Sequence, residues 1–245
     1  MKIGMTSLTF RNDGISKVFE YAKKAGIQGI EWGISEKHIK IGDGESVELV
    51  KRLSKENGIE ILSLGSYCDM TDFNESITIL ETAQNLNAPI IRLWAGNKAS
   101  DVCNKDEYNL IVENTRKLAD MAEKLSIKLC FEYHAYTLTD SADEAVKLAK
   151  TINKDNVGLY WQPQGQLGYE QNKEAFEKVK PYVLKNIHLN NYCEETGYGY
   201  LSDIFENLCG YFIHDNDYNF IVEFVKDSSV ESLIADANTI RKIFS

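Results

Sequence analysis

Eight short runs of β-favouring residues alternate with helical periodicity from one end of the chain to the other, and this alternation restricts the fold more than any other feature. The runs begin near Lys2, Ile27, Ile59, Pro89, Ile127, Val157, Val183 and Asn219. Between them, apolar residues recur at i, i+3, i+4, i+7. Ile15, Val18, Phe19 and Ala22 do so, as do Ala142, Ala145, Val146 and Ala149, and later Val230, Leu233, Ile234 and Ala237. Ser141-Ala142-Asp143-Glu144 has the form of a capping box at a helix start. Strands separated by helices run parallel, because parallel neighbours need a crossover connection. Eight such units in 245 residues predict a single α/β domain over residues 1–245, a (β/α)8 TIM barrel. The competing open sheet usually carries a glycine-rich phosphate turn after its first strand. Here that position reads Ser7-Leu8-Thr9-Phe10-Arg11.

Neighbouring side chains on a strand point to opposite faces, so parity predicts what lies inside the barrel. Helices cover the outside, which makes the outward positions apolar. In the fifth strand Leu129 and Phe131 face out and Glu132 faces in. In the sixth, Leu159 and Trp161 face out and Gln162 in. Ile187 and Leu189 bracket an inward His188, and Val222 and Phe224 bracket an inward Glu223. Glu31 lies between Ile30 and Trp32, and Arg92 between Ile91 and Leu93. All six polar residues fall near strand C-termini, the end at which barrels of this type carry their active sites.

A carboxylate inside a barrel is costly unless it is paired, hydrogen-bonded or bound to a metal. Glu132, Gln162, His188 and Glu223, on four consecutive strands, form a mixed nitrogen and oxygen set. Such a set suits Mn²⁺, Mg²⁺, Co²⁺ or Zn²⁺. Taken singly, each could be a satisfied polar core residue. For Glu31 and Arg92 an internal salt bridge competes with substrate contact. His134 lies at the loop edge after Glu132, and Tyr67 lies beyond the third strand; both are candidate substrate contacts. His38 and His214 read as surface residues, although the loop of His38 could cover the barrel mouth. Trp94 and Trp161 read as packing.

The net charge of −10 and the absence of a basic run argue against nucleic acid as a partner. A small uncharged or weakly charged substrate fits better, unless local cations such as Arg92 or Lys226 oppose the overall field. No segment approaches a membrane span. The N-terminus lacks the regions of a signal peptide, so a cytoplasmic location is expected. Five cysteines, with no CxxC pair, support neither a disulfide framework nor a zinc finger. Cys130 reads as a buried filler.

Several short motifs, in order, resemble the xylose-isomerase-like barrel family of sugar phosphate isomerases and epimerases. They are Gly29-Ile30-Glu31-Trp32, His38 with Asp43 ahead of Ile59-Glu60-Ile61-Leu62-Ser63, and Phe131-Glu132-Tyr133-His134 with Thr137-Leu138-Thr139-Asp140. Asn186-Ile187-His188-Leu189 and Val222-Glu223-Phe224 complete the series. The resemblance implies one divalent metal held by Glu132, His188 and Glu223, together with a sixth-strand Asp. The chain departs from the pattern there, because Tyr160-Trp161-Gln162-Pro163 places a neutral amide where the family usually has that Asp. A Gln oxygen can coordinate, but the site has one negative charge fewer.

The resulting expectation is metal-assisted proton transfer next to the carbonyl of a sugar or polyol, with Glu132 and Glu223 as acid and base. Glu31, His38, Tyr67, Arg92 and His134 would contact substrate. A dehydratase of a cyclic polyol ketone uses the same first step. A non-catalytic sugar-binding barrel with a decayed metal site is the alternative that Gln162 favours. A DNA-repair endonuclease would need a metal cluster richer in His than four histidines allow. A homo-oligomer is left open.

Overall fold

The computed structural model describes residues 1–212 and 217–244. Eight parallel strands close into a barrel, in the spatial order β1-β10-β7-β6-β5-β4-β3-β2. They are β1 (Lys2–Thr6), β2 (Gly29–Gly33), β3 (Glu60–Gly65), β4 (Ile90–Leu93), β5 (Lys128–Phe131), β6 (Val157–Trp161), β7 (Val183–Leu189) and β10 (Asn219–Val222). A two-stranded hairpin of β8 (Tyr192–Cys193) and β9 (Gly197–Tyr198) interrupts the connection after β7. Helices cover the outside: α1 (Ile15–Lys24), α2 (Gly44–Asn57), α3 (Phe73–Leu86), α4 (Lys105–Lys124), α5 (Ala142–Ile152), α6 (Tyr169–Val179), α7 (Phe205–Phe212) and α8 (Val230–Ile243). The eight strands start within two residues of the positions that the sequence predicts. His214 lies outside the described residues. Among the described residues, no helix is long and apolar enough to cross a membrane.

Local chemistry explains the element boundaries. The Ser141 hydroxyl accepts the Glu144 N–H and caps α5, as the capping-box pattern predicts. Helix α2 ends at Gly58, whose φ of +65° is the left-handed conformation that a residue with a Cβ adopts only with strain.

Parity holds through the strands. Ile91, Leu93, Leu129, Phe131, Leu159, Ile187, Leu189 and Val222 are buried in the layer between barrel and helices. Trp32 packs on Phe19 of α1, and Trp161 on Phe176 of α6 and Phe212 of α7. Phe224 breaks the rule. Strand β10 stops at Val222, the backbone turns left-handed at Phe224 (φ +52°), and the ring lines the barrel mouth instead of packing outward.

The barrel interior is filled by a few large side chains facing glycines. A Cβ on Gly4 or Gly29 would come within 2.6 Å of Leu62. Cys130, Ile90 and Tyr160 form a small internal cluster with Leu184. Burial pushes the Cys130 thiol up to about 12, in keeping with an inert filler. Above this cluster, Asn219 donates to Asn186, and Asn186 donates to the Tyr160 hydroxyl, so the interior amides are satisfied.

Two consequences can be measured. At Gly158 an added Cβ would lie 2.4 Å from Leu184 Cγ and 2.5 Å from the Tyr182 carbonyl oxygen. Gly158→Ala should therefore lower unfolding stability by about 1–3 kcal/mol in urea titration. Asp236, buried on α8, accepts the Leu201 N–H at 2.8 Å. Burial, with Asp203 nearby, raises its carboxyl to about 6 from an ordinary value of 3.8. The folded state thus holds this proton more tightly than the unfolded chain, and stability falls as pH rises from about 4 through 6. Asp236→Asn, which keeps the acceptor, should melt higher than wild type at pH 7 and alike at pH 4; parallel pH profiles would remove this account.

Candidate active site

The C-terminal ends of the strands deliver a connected set of buried charges. Glu31 on β2 is fully buried. One of its oxygens accepts the Ser63 hydroxyl at 2.8 Å. The other accepts Arg92 Nε at 3.1 Å and lies 3.1 Å from His188 Nε2. Arg92, on β4, also pairs with Glu132, the residue after β5. The same Glu132 oxygen accepts Trp94 Nε1 at 2.7 Å. The far nitrogen of His188, Nδ1, lies 3.3 Å from Glu132 Oε1 and 3.4 Å from Glu223 Oε1. It is buried and makes no hydrogen bond.

These contacts fix protonation. Burial alone would raise the Glu31 carboxyl, but His188 and Arg92 outweigh it and bring it down to about 2. Burial likewise opposes ionisation of Glu132, and Arg92 again overcomes it, holding that carboxyl well below the usual range. The reverse applies to Arg92, which Glu132 and Glu31 keep cationic despite burial. Burial would lower the His188 imidazole, but Glu223 and Glu31 raise it well above its ordinary value. A cation and a proton therefore compete for Nδ1.

The donor set fits a divalent ion. Glu132, His188 and Glu223 each offer an atom, all within 4.8 Å of one another. Glu31 takes Nε2–H, so Nδ1 points between two carboxylates, where a metal would replace the proton. That orphaned nitrogen is the buried polar atom a metal would satisfy. Gln162 lies beside this group, but its amide is engaged. Its Nε2 donates to the Tyr133 carbonyl at 2.9 Å, and its Oε1 accepts Asn190 Nδ2 at 3.3 Å. The same Asn190 nitrogen reaches Glu223 Oε2 at 3.3 Å.

A cavity of about 880 Å³ opens above this floor. Glu132, Gln162, Asn190 and Glu223 line its base, and Tyr67, Trp94, His134, Tyr136, Tyr198 and Phe224 form much of its wall. Tyr67 is half-exposed and stands edge-on to Trp94, with the Arg92 guanidinium 5.6 Å from its ring centre. His134 stacks on Trp94 at 4.7 Å, and its Nδ1 lies 2.6 Å from the Ala135 carbonyl oxygen.

Other expectations are corrected. Glu31 has no exposed surface, and its carboxylate is engaged by protein groups. His38 is neither at the surface nor over the mouth. It is buried, bonded to Ser7 Oγ and the Asp13 carbonyl oxygen at 3.1 Å each, and does not line the cavity. Lys226 packs on Tyr200 at 4.7 Å, also away from the cavity. Trp94 is not a packing residue of the outer layer, since its indole reaches Glu132 inside the cavity. Asn190 and Trp94 are not among the expected site residues, yet each sits two residues beyond an inward residue, His188 and Arg92. The parity signal was present, one step past the strand end.

Residues 19–233 match the family described as Xylose isomerase-like TIM barrel, and the chain belongs to that family. A 3-dehydroshikimate dehydratase of Bacillus anthracis is 24% identical over 203 residues, 78% of this chain and 72% of that protein. The crystal structure of a probable 3-DHS dehydratase from Bacillus anthracis superposes with a TM-score of 0.80 at 18% identity, covering 98% of this chain and 99% of the other. D-psicose 3-epimerase from Clostridium cellulolyticum H10, solved with D-tagatose, gives 0.72 at 15% identity, covering 100% and 98%. A xylose isomerase-like TIM barrel protein from Mycobacterium smegmatis, solved with magnesium, gives 0.72 at 15%, covering 99% and 96%.

If Glu31 orients His188, Glu31→Gln should weaken Mn²⁺ binding by roughly 10- to 100-fold in calorimetry, with the circular dichroism of the fold retained. Unchanged affinity would show that the imidazole is held by other contacts.

Proposed function

We propose that this chain is an isomerase or epimerase that moves a proton at the carbon next to the carbonyl of a small sugar or polyol. The observation that carries this reading is the pair of carboxylates, Glu132 and Glu223, flanking one unpartnered imidazole nitrogen at the base of a cavity. Glu132, His188 and Glu223 would hold a divalent metal. Bound there, such an ion supplies Lewis-acid polarisation of a carbonyl oxygen.

The two carboxylates are not equivalent. One oxygen of Glu132 is committed to Arg92 and Trp94, which keeps that group anionic and fixed. Glu223 is tethered instead through a neutral amide, that of Asn190. In this reading Glu223 removes the proton next to the carbonyl. Its return to the adjacent carbon, with the hydroxyl proton passing between the two oxygens, gives isomerisation; delivery of a solvent proton to the opposite face of the same carbon, on the Glu132 side, gives epimerisation, with the proton held by Glu223 then returned to solvent. His134 and Tyr67 would orient substrate hydroxyls from the wall, while Arg92 acts through Glu132. The aromatic wall suits the C–H faces of a polyol and limits water at the reacting carbon. The epimerase solved with D-tagatose supports a sugar as the substrate class.

One observation favours a second outcome of the same first step. The Bacillus anthracis relative, matched over 78% of this chain, is a dehydratase. After proton removal, departure of a hydroxyl from the neighbouring carbon as water, with a proton supplied to it, would give an unsaturated product.

Incubation with Mn²⁺ in D₂O, with D-psicose, D-tagatose and 3-dehydroshikimate as probes, separates these readings. Isomerisation or epimerisation should place deuterium at the transferred position, read by NMR. Dehydration should give an unsaturated product, read by ultraviolet absorbance. Glu223→Gln should lower turnover by roughly 100- to 10,000-fold. Full turnover in both Glu223→Gln and Glu132→Gln would defeat the proton-transfer reading.

A further inference from the structure

Where the family pattern expects a sixth-strand carboxylate, this chain carries an amide, and the contacts of that amide give it a different task. Gln162 Nε2 donates to the Tyr133 carbonyl on the neighbouring strand connection, which fixes the orientation of the amide plane. This leaves Oε1 directed toward Asn190, whose Nδ2 bridges Gln162 Oε1 and Glu223 Oε2 at 3.3 Å each. Asn190 follows β7 by one residue and Gln162 follows β6 by one residue. The bridge therefore ties together three neighbouring strand ends, those of β6, β7 and β10.

We propose that Gln162 and Asn190 are a positioning pair for Glu223, and that the divalent ion is held by Glu132, His188 and Glu223 without Gln162. This assignment rests on the metal-binding reading given above. A carboxylate at position 162 would add a negative charge beside Glu132 and Glu223. It could not donate to the Tyr133 carbonyl, and it would compete with Glu223 for the Asn190 amide. The neutral amide instead holds Glu223 through a chain of dipoles, Tyr133 carbonyl to Gln162 to Asn190. With neutral His188, the three remaining ligands carry two negative charges, which match the charge of one divalent cation.

A Mn²⁺-binding cycle on metal-stripped protein tests this, with apo melting temperatures measured alongside. Gln162→Ala and Asn190→Ala should each weaken Mn²⁺ binding by roughly 10- to 100-fold, as expected for residues that orient a ligand. The double variant should bind no more weakly than the weaker single variant, because both act through one carboxylate. In a Glu223→Ala background, Gln162→Ala should change nothing further. Additive losses, or a further loss in that background, would overturn the proposal. A wild-type crystal soaked with Mn²⁺ gives an answer that does not depend on variants folding. Oxygen or nitrogen atoms of Glu132, His188 and Glu223 should lie on the order of 2.2 Å from the anomalous peak, with Gln162 Oε1 outside that shell. Gln162 Oε1 within the shell would overturn this proposal while leaving the metal reading intact. No peak and no calorimetric binding at millimolar Mn²⁺ would overturn both.

Discussion

The buried chain of charge from Glu31 through Arg92 to Glu132 governs the rest of the site. Its members come from β2, β4 and the end of β5, and it crosses the barrel interior from Glu31, sealed beneath the cavity, to Glu132 at its base. Burying three ionised groups is tolerable only because each is paired and hydrogen-bonded. Ser63 and Trp94 occupy remaining lone pairs on the two carboxylates. Removing one member would strand a buried charge, at a cost of roughly 3–5 kcal/mol. This chain of charge also sets the polarity of His188. Glu31 holds Nε2, so the imidazole presents its other nitrogen to Glu132 and Glu223. With Glu31 and Arg92 cancelling, the two carboxylates facing Nδ1 leave a double negative charge at the base of the cavity once the imidazole gives up its Nδ1 proton. A divalent ion is the simplest species to balance it.

The fold was largely legible because two independent periodicities agreed. Helical spacing marked the outer layer, and strand parity marked the inner one. Within the strands, parity assigned Glu31, Arg92 and His188 correctly to the interior, and the apolar surroundings of Cys130 marked it as a buried filler. It failed where the strands stop. Beyond Val222 the backbone leaves the pleat, so Phe224 could not be placed by counting. Trp94 and Asn190 retain inward parity past their strands, but each lies beyond the last leucine of its strand, Leu93 and Leu189. The β8–β9 hairpin carries no long periodic run, and its short strands pair only with each other, so the sequence offered no signal for it.

The limits at individual residues are also physical. His38 sits in a polar loop and reads as exposed, but Ser7 and the Asp13 carbonyl satisfy both ring nitrogens and permit burial. Glu31 and Glu132 look alike in sequence, each inward near a strand end. The structure separates them, since one is sealed beneath the cavity and the other lines it. Gln162 was visible as an anomaly of residue type. What it bonds to depends on Tyr133 and Asn190, which only the barrel brings together.

The turn at Phe224 has a wider consequence. A pleated strand can show a cavity only every second side chain, which limits how densely chemistry can be written along it. By reversing the sign of φ at one residue, the chain presents Glu223 and Phe224, immediate neighbours, to the same space. A carboxylate and an apolar partition thereby arise from a single dipeptide. The partition also borders a second, smaller hollow of about 380 Å³ walled by Thr9, Arg11 and Tyr198. The volume open beside Glu223 is thus coupled to a single backbone torsion, and evolution at that one position would resize the chamber without touching either carboxylate.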